Sequence, residues 1–227
     1  SQLHDNSSHL QAVQITLEHA GEVKKRFDYD IKELNIGGGF GVHYTDEERK
    51  PFSYFLDPAM DMIEKYFSSL GIKRPEIVIE PGRSIVAEAG ISLYTVGSIK
   101  EIKGIRKYVS VDGGMTDNIR PALYQAVYDG IIANKADSQK TETVTICGKC
   151  CESGDIVIRD IDVADPQTGD IFAIFSTGAY GYSMASNYNK NPIPSVVLVK
   201  EGRSELIVKR QSFDDIIKNE LIPESLR

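Results

Sequence analysis

The fold is decided by the stretch Ile31-Lys32-Glu33-Leu34-Asn35-Ile36-Gly37-Gly38-Gly39-Phe40-Gly41. Its first six residues are too few for a helix and carry apolar side chains up to the point where three glycines follow in succession. The pattern predicts a short buried strand running into a glycine loop. Upstream, Leu10, Val13, Leu17, Ala20, Val23 and Phe27 recur at three-and-four spacing, which predicts a helix over Ser8–Phe27, capped by Ser7 or Ser8 and ended before Asp28. Downstream, Phe52, Phe55, Leu56, Ala59, Met60, Ile63, Phe67 and Leu70 mark a second helix over 52–70, with Gly71 placed where a helix end favours a residue tolerant of positive φ. Ile77-Val78-Ile79 is the next strand. It runs into Glu80-Pro81-Gly82-Arg83, with Ser84 expected to cap a short helix through Glu88. Helix, strand, helix, strand, helix implies parallel strands with helices on their faces.

Beyond Gly90 the texture changes to β-branched runs at 91–100, 107–112, 143–147, 156–163, 171–175 and 195–210, divided by Gly, Asp, Pro and Asn. This half is expected to be antiparallel, a small barrel or sandwich, with a hairpin about Glu201-Gly202-Arg203 and a closing helix over Phe213–Leu221. Two strand–helix pairs are too few for a closed parallel barrel, which needs eight. The first part is therefore expected to be a small open sheet or the end of a longer barrel. The second is favoured by the absence of an initiator methionine and of an obvious strand before the first helix.

At 227 residues the chain is long enough to bury a substantial core, and 41% hydrophobic with 26% charged residues places it among globular rather than disordered or fibrous proteins. The net charge of −7 would repel nucleic acid and anionic lipid, so neither is an expected partner. No apolar run is long enough to span a bilayer and the first residues lack signal-peptide character, which makes a cytoplasmic location the expectation. Cys147, Cys150 and Cys151 lie too close together to staple a fold and are expected to be reduced thiols. No second ligand pair accompanies Cys147 and Cys150, so no metal is expected.

Several clusters carry chemistry. The glycine loop brings bare backbone and outward N–H groups to a ligand, a common way to hold phosphate, although Val42 stands where a dinucleotide fingerprint needs its third glycine. Glu80 and Arg83 fall at a strand's carboxyl end, where parallel α/β folds place ligands. The carboxylate suits a protonated ring nitrogen and the guanidinium suits a carboxylate or phosphate; taken alone the two read as a surface ion pair, and the glycine loop one strand earlier tips the reading toward a ligand site. Asp112, Asp117, Asn118, Arg120 and Tyr124 gather polar groups near another strand end, with Tyr124 open to a reading as a core ring. Cys151-Glu152-Ser153-Gly154-Asp155 sets a thiol beside two carboxylates, where a buried, inert cysteine is the more frequent case. Gly178-Ala179-Tyr180-Gly181 reads as a loop presenting Tyr180.

Taken in order, Gly37-Gly38-Gly39, Glu80-Pro81-Gly82-Arg83, Arg120-Pro121-Ala122-Leu123-Tyr124, Cys151-Glu152-Ser153-Gly154-Asp155 and Gly178-Ala179-Tyr180 resemble the motif series of the fold type III pyridoxal-phosphate decarboxylases, on the branch that acts on diaminopimelate. The resemblance implies an α/β-plus-β architecture: residues 1–92 as the last strands of an alanine-racemase-like (β/α)8 barrel, and residues 93–227 as a β-barrel or sandwich domain. It implies pyridoxal 5'-phosphate as cofactor and conversion of meso-2,6-diaminopimelate to L-lysine and CO2 in a homodimer with a shared active site. Gly37, Gly38, Gly39, Glu80, Pro81, Gly82, Arg83 and Tyr180 would then face the cofactor, with Glu80 on the pyridine nitrogen. Arg83, Arg120, Tyr124, Glu152 and Tyr180 would hold the amino-acid substrate, and Cys151, entering from the neighbouring subunit, would protonate the carbanion.

Relatives carry a strand ending His-x-Gly-Ser-Gln, and Ser1-Gln2 resembles its tail. On that reading the Schiff-base lysine and the ring-stacking histidine lie outside the chain, no lysine here takes their place, and the chain alone is expected to be inactive. The alternatives are a related decarboxylase of ornithine, arginine or a carboxylated polyamine, and a noncatalytic dimerisation module on the same fold.

Overall fold

The computed structural model describes all 227 residues, which divide into two compact units, Ser1–Ala89 and Gly90–Arg227. In the first, α1 (Ser7–Phe27), β1 (Glu33–Gly38), α2 (Phe52–Ser69), β2 (Glu76–Glu80) and α3 (Gly82–Val86) follow in the expected order. β1 and β2 pair in parallel, Leu34 opposite Ile77 and Gly38 opposite Glu80. Leu34 and Ile36 point inward from β1 onto Val13 and Leu17 of α1 and Ile63 and Phe67 of α2, so alternation on the strand meets the helical stripes in one core.

The ends of these helices depart from expectation. The N-cap of α1 is Asn6, not Ser7 or Ser8, and its side chain does not bond its own helix. Pro58 inside α2 has no N–H to give to the carbonyl of Tyr54, and the Asn6 Nδ2 donates to that carbonyl instead at 3.1 Å. The first turn of α1 is held by the Asp5 carboxylate, which accepts the Ser7 N–H at 2.9 Å. Asp28 stops the helix in the left-handed region at φ 50°. Similarly, α3 begins at Pro81 rather than Ser84, whose hydroxyl lies inside the helix and donates back to the Pro81 carbonyl at 2.8 Å. Ahead of α1, Leu3 makes an isolated parallel bridge with Phe40 beside the glycine loop, directly after the Ser1-Gln2 that the resemblance reads as the tail of a strand.

The second unit is built on a six-stranded sheet of β3 (Ser92–Ile102), β4 (Arg106–Val111), β5 (Gly130–Ile132), β6 (Glu142–Cys147), β7 (Ile156–Val163) and β8 (Ile171–Ile174), in the order β5-β8-β3-β4-β6-β7. The edge strands β5 and β7 approach one another, so the sheet curls toward closure around Val96, Val109, Ile146 and Phe172. It is mixed rather than antiparallel, because β4 and β6 run parallel, Tyr108 opposite Thr145. The crossover between them carries α4 (Arg120–Tyr124) and the three-residue β5, which is too short to announce itself by periodicity. β9 (Val196–Lys200) and β10 (Arg203–Val208) form a separate hairpin about the expected turn. The last helix, α5, covers only Phe213–Ile217. It begins with a reciprocal Ser212–Asp215 capping box. No helix is long and apolar enough to cross a membrane.

Candidate active site

In the first unit the carboxyl ends of both parallel strands carry the singled-out residues, the position at which open α/β sheets bind ligands. The three glycines serve different ends. Gly37 turns at φ +75° with open space where a side chain would stand. Gly38 is glycine for contact, since a Cβ there would lie 1.9 Å from the carbonyl oxygen of Glu80. That close approach sets the loop against the end of β2, where the exposed Glu80 carboxylate accepts from Asn35 Nδ2 at 2.6 Å. Asn35 Oδ1 takes the Gly37 N–H at 2.8 Å. Pro81 and Gly82 open α3. Arg83, half-buried in it, reaches Gln2 Oε1 through Nη1 at 3.2 Å and places its guanidinium 6.0 Å from the Tyr44 ring centroid. Gln2 in turn holds both backbone groups of Val42, its Nε2 donating at 2.6 Å and its Oε1 accepting at 3.2 Å. The geometry therefore brings Gly37–Gly39, Glu80 and the N-terminal residues together. The surface ion pair considered for Glu80 is replaced by an amide–carboxylate bond.

In the second unit Arg120 and Tyr180 meet. The Arg120 guanidinium lies 5.6 Å from the Tyr180 ring centroid and 5.8 Å from that of Tyr128, and its Nη1 donates to the Tyr128 hydroxyl at 2.7 Å. Arg120 is 8% exposed, so its charge is sunk between two aromatic faces. Tyr180 turns at φ 61° and stands exposed, as its loop predicted. Tyr124 is 62% exposed, which overturns its reading as a core ring.

Cys151 and Glu152 occupy the loop between β6 and β7. Cys151 is exposed, not the buried thiol that frequency favours. Glu152 accepts the Gly154 N–H at 3.3 Å and the Tyr188 hydroxyl at 3.5 Å. Beneath the loop, Asp155 is 3% exposed, and its carboxylate accepts the N–H groups of Met115 and Cys150 at 2.7 and 2.8 Å. A Cβ on Gly148 would stand 2.2 Å from that carboxylate, so a glycine is needed to admit it. Burial pushes the Cys150 thiol up to about 11, and the nearby Asp155 charge acts in the same direction. Burial likewise raises the Asp117 carboxyl, whose Oδ2 accepts the Gly114 N–H.

Asn35 and Tyr128 escaped the sequence reading. Asn35 left a signal, an amide just before the glycine turn, on the outward side of a strand whose inward positions are Leu34 and Ile36. Tyr128 left none, because its approach to Arg120 depends on the left-handed turn at Gln125 that ends α4.

Residues 23–178 match the family model described as pyridoxal-dependent decarboxylase, C-terminal sheet domain. The chain belongs to this decarboxylase family. A diaminopimelate decarboxylase of Bacillus subtilis is 48% identical over 97% of the chain, and one of Staphylococcus aureus 46% over 97%. The chain spans about half the length of the curated relatives it matches, 51% and 52% of these two. Among solved structures, diaminopimelate decarboxylase from M. jannaschii in complex with L-lysine superposes with a TM-score of 0.93 at 35% identity, covering 100% of this chain and 51% of that one. A lysine/ornithine decarboxylase from Vibrio vulnificus superposes at 0.68 with 23% identity, a likeness of fold alone.

Proposed function

We propose that this chain carries cofactor- and substrate-binding residues for the pyridoxal-phosphate-dependent decarboxylation of meso-2,6-diaminopimelate to L-lysine and CO2. The carrying observation is the Glu80 carboxylate, exposed at the end of β2 beside the glycine loop and fixed from one side by Asn35 at 2.6 Å. The residues suit the group. An exposed carboxylate can accept a pyridinium N–H, glycines with open ground at Gly37 and Gly82 admit a phosphate, and Arg83 supplies a cation on the same unit. Bound pyridoxal phosphate supplies a protonated ring that accepts the electron pair left when CO2 departs.

Glu80 would accept the ring N–H and so hold the proton on that nitrogen. Arg83 and Tyr180 orient cofactor and substrate. The substrate has an amino-acid group at each end, so the distal end needs partners for both a carboxylate and an ammonium. Arg120, with Tyr124 beside it on α4, answers the first and Glu152 the second. Cys151 would be the proton donor to the substrate carbon that loses CO2, and its exposure on a loop fits a role toward a neighbouring copy in a homodimer. On this reading residues 1–92 are the final strands of an alanine-racemase-like barrel and the curled sheet of residues 93–227 is a β-barrel. The named activities of the relatives, and their capture with L-lysine, support the substrate choice.

Calorimetric titration of the chain with meso-diaminopimelate, L-lysine and L-ornithine in the presence of pyridoxal phosphate tests the reading. Heat with the first two, lost in R120A and E152A, is expected. Heat with ornithine alone would favour a polyamine-type decarboxylase, and none with any ligand would favour a noncatalytic module.

A further inference from the structure

Asn35 stands between the buried Leu34 and Ile36 on β1. Asparagine is a poor strand former, because its short amide competes for backbone groups. Here that tendency is put to use. Oδ1 accepts the Gly37 N–H at 2.8 Å, closing a local turn that leads the chain into the left-handed conformation at Gly37. Nδ2 donates across the sheet to Glu80 Oε1 at 2.6 Å. The two residues are not opposite one another: Asn35 pairs with Val78 and Gly38 with Glu80, with a register irregularity between. A single side chain therefore ties the glycine turn to the carboxylate.

We propose that Asn35 is a positioning residue for the cofactor, holding Glu80 so that Oε2 faces a ring N–H while Oε1 is committed to the amide. The inference rests on the reading of Glu80 as the partner of the pyridine nitrogen. A short charge-assisted bond restricts the carboxylate's motion and commits Oε1 to the amide, which leaves Oε2 as the oxygen open to a ring N–H. The same amide takes the Gly37 N–H out of the set open to a phosphate and leaves that work to later groups of the loop. No other residue type of this size supplies both halves. Aspartate keeps the acceptor for Gly37 but turns a second negative oxygen toward Glu80, and alanine supplies neither.

The test compares pyridoxal 5'-phosphate with its 1-deaza counterpart, in which ring carbon replaces the nitrogen, by fluorescence titration of the wild-type chain, N35A, N35D and E80A. Circular dichroism confirms that each variant is folded. The wild type is expected to prefer pyridoxal phosphate by about tenfold, the scale of one hydrogen bond to a charged group. In N35A and N35D that preference falls toward the value for E80A. N35D, which retains the Gly37 bond, keeps near-wild-type affinity for the deaza ligand. If N35A weakens both ligands equally and the preference survives, Asn35 shapes only the loop and the inference is overturned. If the wild type binds neither ligand, or binds both alike, the assignment of Glu80 to the ring nitrogen fails, and this inference with it.

Discussion

The carboxylate of Asp155 accepts the backbone N–H of Met115 at 2.7 Å. Its other oxygen takes the N–H of Cys150 at 2.8 Å, so one buried anion joins the loop bearing Cys151 and Glu152 to the turn that follows β4. Hydrogen bonds to a charged group are worth about 1.5–3 kcal/mol each, and removing the acceptor strands two amide donors. D155A is expected to lower the unfolding free energy of the chain by about 3 kcal/mol or more, read from urea titration. D155N keeps one acceptor and loses about half as much. A D155A variant with unchanged stability would show that the carboxylate does not hold the loop.

The same loop separates two adjacent thiols. Cys150 is half-buried beside Asp155 with its pKa raised to about 11, Cys147 is raised by its own burial, and Cys151 is exposed. Because thiolate rather than thiol is the nucleophile, iodoacetamide near pH 8 should label Cys151 at least about tenfold faster than Cys150. Mass-mapped alkylation time courses check this, and equal rates would contradict the burial of Cys150.

Replacing Gly38 with alanine drives a Cβ to 1.9 Å from the Glu80 carbonyl, whereas at Gly37 a Cβ meets nothing and only the φ of +75° is strained. G38A is expected to cost about 3 kcal/mol, the upper end for a steric insertion, and G37A about 1 kcal/mol. Denaturant melts of the two variants give the comparison. Equal losses would mean that the loop does not press on β2.

Much of this was legible in the sequence because the signals were local. Both strands of the first unit, both long helices and the paired motifs at the strand ends follow from apolar spacing and glycine runs. The helix caps were missed because tertiary demand decided them. Asn6 serves a carbonyl that Pro58 leaves free on another helix, and Ser84 lies in the first turn of a helix whose N-cap is Pro81, where its hydroxyl bonds back to the Pro81 carbonyl. The parallel pairing of β4 with β6 was hidden because strand patterns carry no direction, and the intervening segment resembles a loop. At the site, residue types were readable but couplings were not. The bonds joining Asn35 to Glu80 and Arg120 to Tyr128 depend on register and on a left-handed turn, neither of which periodicity encodes.

His9 is 3% exposed, edge-on to the rings of Phe40 and Phe55, and desolvation lowers its pKa below the ordinary 6.5. The unfolded chain takes up this proton at higher pH than the folded one, so stability rises with pH across the interval. The contribution is complete above the unfolded value of about 6.5 and is lost as pH falls through that value toward the folded one. Wild-type unfolding free energies measured from pH 7.5 down to about 5 should decline, and H9F should flatten the decline. An equal slope in H9F would place the acid sensitivity elsewhere.

The central claim is tested most directly by fusing this chain to the portion of the Bacillus subtilis relative that it does not match, and assaying the fusion with pyridoxal phosphate and meso-diaminopimelate. L-lysine and CO2 in equal amounts, abolished by E80A and by R120A and absent with ornithine as substrate, are the predicted result. A folded fusion that binds the cofactor but forms no lysine, or that decarboxylates ornithine in preference, would contradict the claim.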